Sequence, residues 1–142
     1  MLVNDLKLED RIFFTGTQKE PLPFYQQADI IAMPSYAEGL PLVLLEAMAC
    51  KAAIVATEIG GITDVIVKKS SGKIHEISFC ICENGILVLP GDIEGLTNAL
   101  EELIQNHKLR EELTQRAYET VLKSYSLDKV ILHYLDLLGS NS

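Results

Sequence analysis

Short, continuously apolar runs recur along the chain and are separated by stretches of mixed character. Residues 28–34 read ADIIAMP, residues 52–57 read AAIVAT and residues 85–89 read GILVL. Continuous apolar runs of this length are typical of strands that are buried on both faces of a sheet. We therefore predict three buried strands, and RIFFTG at 11–16 predicts a further strand that ends in a glycine turn.

The stretches between these runs have the spacing of helices. The segment that follows Pro41 is almost wholly apolar, and Asp92 is a suitable N-cap for the helix that follows GILVL. A turn-rich stretch at 68–84 interrupts the pattern, although weak alternation at 77–82 allows an extra strand there. Helices are predicted at 21–28, 41–50, 62–67 and 108–123, from Asp92 onwards, and after Ser126. The buried stripe of the helix that starts at Asp92 consists of Leu96, Leu100, Leu103 and Ile104.

Alternation of buried strands with helices predicts an α/β fold. We expect one domain over residues 1–142, built as a Rossmann-like parallel sheet with helices on both faces and closed by further helices. Ligands bind such sheets beyond the carboxyl ends of the strands. The turns after the strands therefore carry the functional expectation, and they comprise residues 15–16, 35–42 and 58–62.

Composition and charge narrow the classes of function. The net charge of −8 argues against a nucleic-acid partner, because phosphate binding needs a basic face, and it gives no polybasic patch for an anionic membrane. We find no apolar run near the roughly 20 residues of a membrane span and no signal peptide. The three cysteines fit no disulfide framework, so we expect a cytoplasmic protein, able in its intact form to lie peripherally at the inner membrane face.

The stretch PSYAEGLPLVLLEAM, residues 34–48, carries the strongest local signal. Pro41 stands where a first helical residue is expected, because its missing N–H costs nothing there. The helix then leaves the amides of Leu42 and Val43 free, which makes an anion site that the helix dipole reinforces. Glu46 lies one turn beyond Leu42, and a carboxylate in so apolar a helix needs water or a partner such as a polyol.

The segment EGLPLVLLEAMACKAAIVATEIGGITDVI resembles the carboxyl-terminal, donor-binding half of the retaining glycosyltransferases of family 4. These enzymes place two Rossmann-like domains around one cleft, an arrangement called GT-B. Their E-x7-E signature falls here on Glu38 and Glu46. The FTG turn at 14–16 precedes this signature, and the glycine pair at 60–61, the GILV run and the closing helices with LREEL and SYS follow it, so the resemblance covers residues 11–138.

The resemblance implies a nucleoside diphosphate sugar, a UDP- or GDP-sugar, as substrate and implies neither a metal nor a cofactor. Glu38 would be the catalytic carboxylate that bonds hydroxyls of the donor sugar. Glu46 would accept bonds from the ribose, and the backbone of 39–43 would contact the sugar and the diphosphate. The acceptor would be a glycan or a lipid-linked molecule. The implied donor-binding residues are Gly16, Ser35, Gly39, Leu40, Pro41, Leu42, Val43 and Glu46.

The chain departs from the family pattern in two places. The family's domain begins with a strand and helix whose arginine and lysine neutralise the donor's phosphates, and this chain starts after that unit. The acceptor domain is also absent from the sequence. We therefore expect a fragment of a two-domain enzyme with weak or absent activity of its own. The stretch 68–84 is longer than the common connections and has no assigned role.

Less specific interpretations remain open for each feature. Glu38 can be a solvated turn carboxylate, Glu46 a helix residue paired with a lysine, and Gly60–Gly61 a simple chain reversal. Cys80 and Cys82 lack the spacing of a zinc site with His75, so buried, unreactive thiols are favoured over a metal cluster. The alternative functions are a non-catalytic interaction module that retains only the fold, or a fragment of a nucleotide-sugar epimerase.

Overall fold

The computed structural model describes residues 2–39, 41–69, 79–126 and 128, and a four-stranded sheet lies at its centre. No helix in these ranges is both long and apolar enough to cross a bilayer. The helix predicted after Ser126 lies outside them. The strands are β1 (Ile30–Met33), β2 (Ala53–Thr57), β3 (Phe79–Ile81) and β4 (Ile86–Val88), and the helices are α1 (Leu2–Asp5), α2 (Leu22–Gln27), α3 (Leu42–Ala49), α4 (Gly60–Thr63), α5 (Ile93–Gln105) and α6 (His107–Thr120), which continues as a π-helical turn over Val121–Tyr125.

The sheet has the order β1-β2-β4-β3, and β1, β2 and β4 run parallel. All five residues of β2 are buried, so both faces of this central strand are covered. Val55 packs on one face with Leu103 of α5, while Ile54 packs on the other with Leu44 of α3 and Ala117 of α6. The predicted α/β fold with helices on both faces is confirmed.

β3 pairs antiparallel with β4, which makes it an exception in a parallel sheet. The two strands are joined by a tight turn in which the amide of Cys82 donates to the carbonyl of Gly85 over 2.9 Å. Strands joined by so short a turn can only be antiparallel, since a parallel pair needs a long crossover. The extra strand that weak alternation allowed at 77–82 therefore exists at 79–81, as the first strand of a hairpin.

The strand predicted at 11–16 is wrong. The segment forms no ladder with any described strand, and Phe13 and Phe14 are exposed. A strand needs a neighbour that accepts and donates its backbone hydrogen bonds, and apolar character alone does not show that the neighbour exists. β1 was also expected to be buried on both faces. It stands at the end of the strand order, and Met33 is its only buried residue.

The amino-terminal helices contribute little to the core. Neither α1 nor α2 contains a buried residue, although α2 forms where helical spacing predicted it. The predicted cap of α5 is also confirmed, since Asp92 Oδ1 accepts the amide of Gly95 over 2.8 Å. The core of the described chain thus lies between β1 and the end of α6.

Asn84 is a buried polar residue that joins three parts of the fold. Its side-chain Nδ2 donates to the carbonyl of Val65 over 2.9 Å and to Thr120 Oγ1 over 3.1 Å. Its Oδ1 accepts the amide of Val67 over 3.0 Å. The side chain thereby ties the β3–β4 turn to the chain after α4 and to the end of α6.

We predict that Asn84→Ala lowers the free energy of unfolding by about 3 kcal/mol, because it leaves a buried carbonyl and a part-buried amide without partners. Urea denaturation of the full chain measures the effect. Asn4→Ala, at an exposed position of α1, is the control and should change stability by less than about 0.5 kcal/mol. Equal effects of the two substitutions would show that the Asn84 network contributes nothing.

Helix α3 ends in a paired hydrogen-bond arrangement that determines where the chain enters β2. The amide of Lys51 donates to the carbonyl of Met48, and the amide of Ala52 donates to the carbonyl of Ala47, both over 3.1 Å. This is the Schellman pattern, which places its C′ residue in the left-handed region. Lys51 accordingly has φ 61°, and its ammonium lies 4.7 Å from the centre of the Tyr118 ring.

We predict that Lys51→Gly is more stable than Lys51→Ala by about 1 kcal/mol, because both lose the ammonium while only glycine adopts positive φ without strain. Thermal or urea unfolding of the two variants measures the difference. Ala49→Gly, inside the last turn of the same helix, is the matched control and should be destabilising by a similar amount. A Lys51→Gly variant no more stable than Lys51→Ala would contradict the prediction.

Candidate functional site

The loop after β1 is held in place by two hydroxyl groups. Thr57, the last residue of β2, is 2% exposed, and its Oγ1 donates to the carbonyl of Ser35 over 2.6 Å. The hydroxyl of Ser35 in turn donates to Glu38 Oε1 over 2.8 Å. Ser35 and Glu38 thus lie together at the carboxyl edge of the parallel strands, where the sequence predicted a site.

The amino end of α3 follows this loop directly. Pro41 is the N-cap and not the first helical residue as predicted, because its ψ of 105° is extended and the helix begins at Leu42. Its carbonyl accepts the amides of Leu44 and Leu45. The amides of Leu42 and Val43 have no acceptor among the described residues, and both side chains are exposed. Two free amides at a helix start can bind an anion.

Glu46 is exposed on α3, one turn beyond Leu42. It faces Tyr25 of α2, and the pKa of that phenol is raised first by burial and then by the Glu46 carboxylate. A side-chain hydrogen-bond interaction with Glu46 contributes to the raised pKa as well. In the described ranges the ion pairs join Lys68 to Glu58 and Arg116 to Glu112, so no lysine there occupies the Glu46 carboxylate.

The remaining predicted site residues are Gly39, Leu40 and Gly16, and they do not all lie beside Glu38 in the described structure. Gly39 lies in the loop between Glu38 and α3, and a Cβ there would meet no atom within 4 Å. Leu40 lies outside the described residues. Gly16 has φ +62° in an exposed, irregular segment, and no described hydrogen bond joins it to the loop after β1. The structure therefore brings Ser35, Glu38 and the start of α3 together, and does not connect Gly16 to them.

The loop after β2 approaches the same site. Gly60 and Gly61 begin α4, and a Cβ built on Gly60 would lie 3.5 Å from the carbonyl oxygen of Glu38. The glycine pair is therefore the start of a helix that contacts the Glu38 loop. Beside it, Glu58 forms an exposed ion pair with Lys68.

A cavity of about 100 Å³ also opens at the carboxyl ends of the strands. Pro34, Tyr36 and Thr57 form one part of its wall, and residues from the end of β4 and the start of α5 form the rest. Neither Glu38 nor Glu46 lines it. The cavity lies beside the predicted site and is separate from the two carboxylates.

The two cysteines of the hairpin are buried thiols. Cys80 and Cys82 are 3% and 0% exposed, and their sulfur atoms lie 3.8 Å apart. Burial, with a smaller effect of Cys80, raises the pKa of Cys82 to about 12, so this thiol stays protonated near neutral pH. The buried-thiol interpretation is confirmed for this pair. His75 lies outside the described residues, and the described part of the chain gathers no group of three or more metal-binding side chains.

Two residues of the site were missed by sequence reasoning. Thr57 was placed in a strand and given no role, although a polar residue at the carboxyl end of an apolar strand is a recognisable signal. Tyr25 was counted only as part of the apolar spacing of α2. Its approach to Glu46 depends on how α2 packs against α3, and no local pattern shows that.

Comparison with known proteins gives a consistent result. The sequence model described as "Glycosyl transferases group 1" matches residues 2–120. The chain is 30% identical over 133 residues to the N-acetyl-alpha-D-glucosaminyl L-malate synthase of Bacillus anthracis, a match that covers 94% of this chain and 32% of that protein. The chain therefore spans about a third of this curated relative.

Solved structures show the same fold. A sucrose-phosphate synthase from Thermosynechococcus elongatus superposes with a TM-score of 0.80 at 27% identity, over 99% of this chain and 33% of its own. A mutant of S. aureus TarM, solved with Fondaparinux, alpha-GlcNAc-glycerol and UDP, superposes with a TM-score of 0.78 at 25% identity, over 96% of this chain and 25% of its own. These structural neighbours are GT-B glycosyltransferases.

Proposed function

The chain belongs to the glycosyl transferases group 1 family, and from this membership we propose that it is the donor-binding half of a retaining, family 4 glycosyltransferase. It binds a nucleoside diphosphate sugar, and the complete enzyme transfers the sugar to a glycan or a lipid-linked acceptor. The observation that carries the proposal is the arrangement of two carboxylates around the free amino end of α3, at the carboxyl edge of a parallel sheet.

Each part of this arrangement suits one part of the donor. The free amides of Leu42 and Val43 meet the diphosphate, and the helix dipole favours the negative charge that grows there as the glycosyl bond breaks. Glu46, which no described cation occupies, accepts hydrogen bonds from the vicinal hydroxyls of the ribose. Gly39 leaves open space in which the sugar can approach the backbone.

Glu38 is the carboxylate assigned to the donor sugar. Its Oε1 is engaged by the Ser35 hydroxyl, which leaves the second carboxylate oxygen available to sugar hydroxyls. A carboxylate held from one side in this way presents a fixed acceptor direction to the ligand. We assign it the catalytic role on this basis and on the E-x7-E spacing.

We propose that a second domain completes the phosphate chemistry of the site. No hydrogen bond or ion pair of the described residues brings a lysine or arginine side chain to the Glu38 loop or to the start of α3. The chain spans about a third of its relative, so an acceptor domain and basic residues from a further segment can complete the cleft. We propose a cytoplasmic enzyme that lies peripherally at the inner membrane face.

A UDP-sugar is the first donor to test. The TarM mutant structure, which shares 25% identity with this chain, contains UDP. A GDP-sugar is the alternative, and the turn at 15–18 contains nothing that selects between the two bases. A panel with both bases therefore tests donor class and base together.

We predict that Glu46→Ala weakens nucleotide-sugar binding at least tenfold, because the ribose hydroxyls lose charge-assisted hydrogen bonds. Isothermal titration of the full chain with UDP-glucose, GDP-mannose, UDP and GDP measures it. Glu101→Ala, which removes an exposed glutamate from α5, is the matched control and should bind as the unmodified chain does. Absence of binding to every probe would favour the alternative of a non-catalytic interaction module.

We also predict that the chain alone turns over donors far more slowly than the roughly 1 s⁻¹ at the low end of ordinary enzymes, because we propose that a further domain supplies the acceptor-binding groups and the phosphate cations. Release of nucleoside diphosphate, measured with and without simple glycan acceptors, tests this. Turnover within the ordinary range would overturn the fragment interpretation. Conversion of the donor to its sugar epimer would instead support the epimerase alternative.

A further inference from the structure

Thr57 occupies an unusual position for a hydroxyl group. It ends the fully buried strand β2 and is 2% exposed, yet its Oγ1 lies 2.6 Å from the carbonyl oxygen of Ser35 and 3.3 Å from that of Met33. A hydroxyl has one proton to donate, and the shorter distance assigns it to Ser35. The hydrogen bond spans 22 positions of sequence and joins the end of one strand to the loop after its neighbour.

The hydroxyl of the same serine donates a hydrogen bond to Glu38. Its hydrogen bond to Glu38 Oε1 is 2.8 Å long, and both residues lie in an exposed loop between β1 and α3. No ion pair of the described residues includes Glu38. In this structure the Ser35 hydroxyl therefore holds the Glu38 carboxylate, while Thr57 holds the backbone carbonyl of the same serine.

We propose that Thr57 is a positioning residue for Glu38, acting through Ser35. The inference rests on the proposed function, because it gives Glu38 the donor sugar as its ligand. Thr57 does not touch the nucleotide side of the site, which is formed by the amides of α3 and by Glu46. Loss of the Thr57 hydroxyl therefore affects recognition of the sugar and leaves recognition of the nucleotide unchanged.

The substitution Thr57→Val removes the hydroxyl and keeps the shape of the buried side chain. Thr57→Ser keeps the hydroxyl and removes a methyl group. Thr97→Val is the matched control, since the Thr97 hydroxyl donates to the Ile93 carbonyl over 2.8 Å on the exposed side of α5. Affinities for UDP-glucose and UDP, and for GDP-mannose and GDP, are measured by titration of each full-length variant.

We expect Thr57→Val to reduce the preference for the nucleotide sugar over the bare nucleotide about five- to tenfold, the worth of roughly one hydrogen bond. Binding of the bare nucleotide should stay within twofold. Thr57→Ser should restore the preference, and Thr97→Val should leave it intact. Equal weakening of both ligands, or a preference unchanged in Thr57→Val, would overturn the positioning role.

A measurement without ligand separates this inference from the proposed function. In the NMR spectrum of the free chain, the contact between the β protons of Ser35 and the γ protons of Glu38 should give a nuclear Overhauser effect. We expect it to be lost in Thr57→Val and retained in Thr57→Ser and Thr97→Val. Its persistence in Thr57→Val would refute the positioning role even if no donor bound. Its loss in a chain that binds no nucleotide sugar would refute only the donor assignment.

Discussion

The five buried side chains of β2 impose the constraint on which the rest of the structure depends. A strand with no exposed residue must be covered on both faces, and burying Ile54 or Val55 stabilises the fold by about 1.5–3 kcal/mol each. Helix α5 covers one face together with Leu113 of α6, and α3 covers the other together with Ala117 of α6. The same strand ends at Thr57, so the element that organises the core also fixes the loop that carries Glu38.

Local signals in the sequence predicted most of the fold. The apolar runs of β1, β2 and β4, the Asp92 cap and the apolar helix α3 each depend on neighbours within a few residues, and each is present. The error at 11–16 concerned a property that is not local, because a strand requires a partner from elsewhere in the chain. The direction of β3 was likewise decided by the short turn to β4.

Fewer features of the candidate site than of the fold could be predicted from the sequence. The resemblance located the two carboxylates and the helix start, and the structure places Ser35, Glu38 and the amides of α3 together. The resemblance could not show that Ser35 holds Glu38 or that Tyr25 approaches Glu46, since both contacts depend on side-chain direction and helix packing. The start of α3 was also predicted one residue too early, at Pro41. Proline is favoured in the first turn of a helix, but this preference does not determine which residue starts the helix.

The lack of buried residues in α1 and α2 divides the molecule into two levels of stability. Opening the chain before β1 releases no buried side chain of α1 or α2, whereas opening β2 exposes five buried residues of the core. We therefore expect the first segment to open locally at a lower free energy than global unfolding. A protease acting on the isolated chain is therefore expected to cut before β1 first, while the sheet and the elements that carry Glu38 and Glu46 resist it longer.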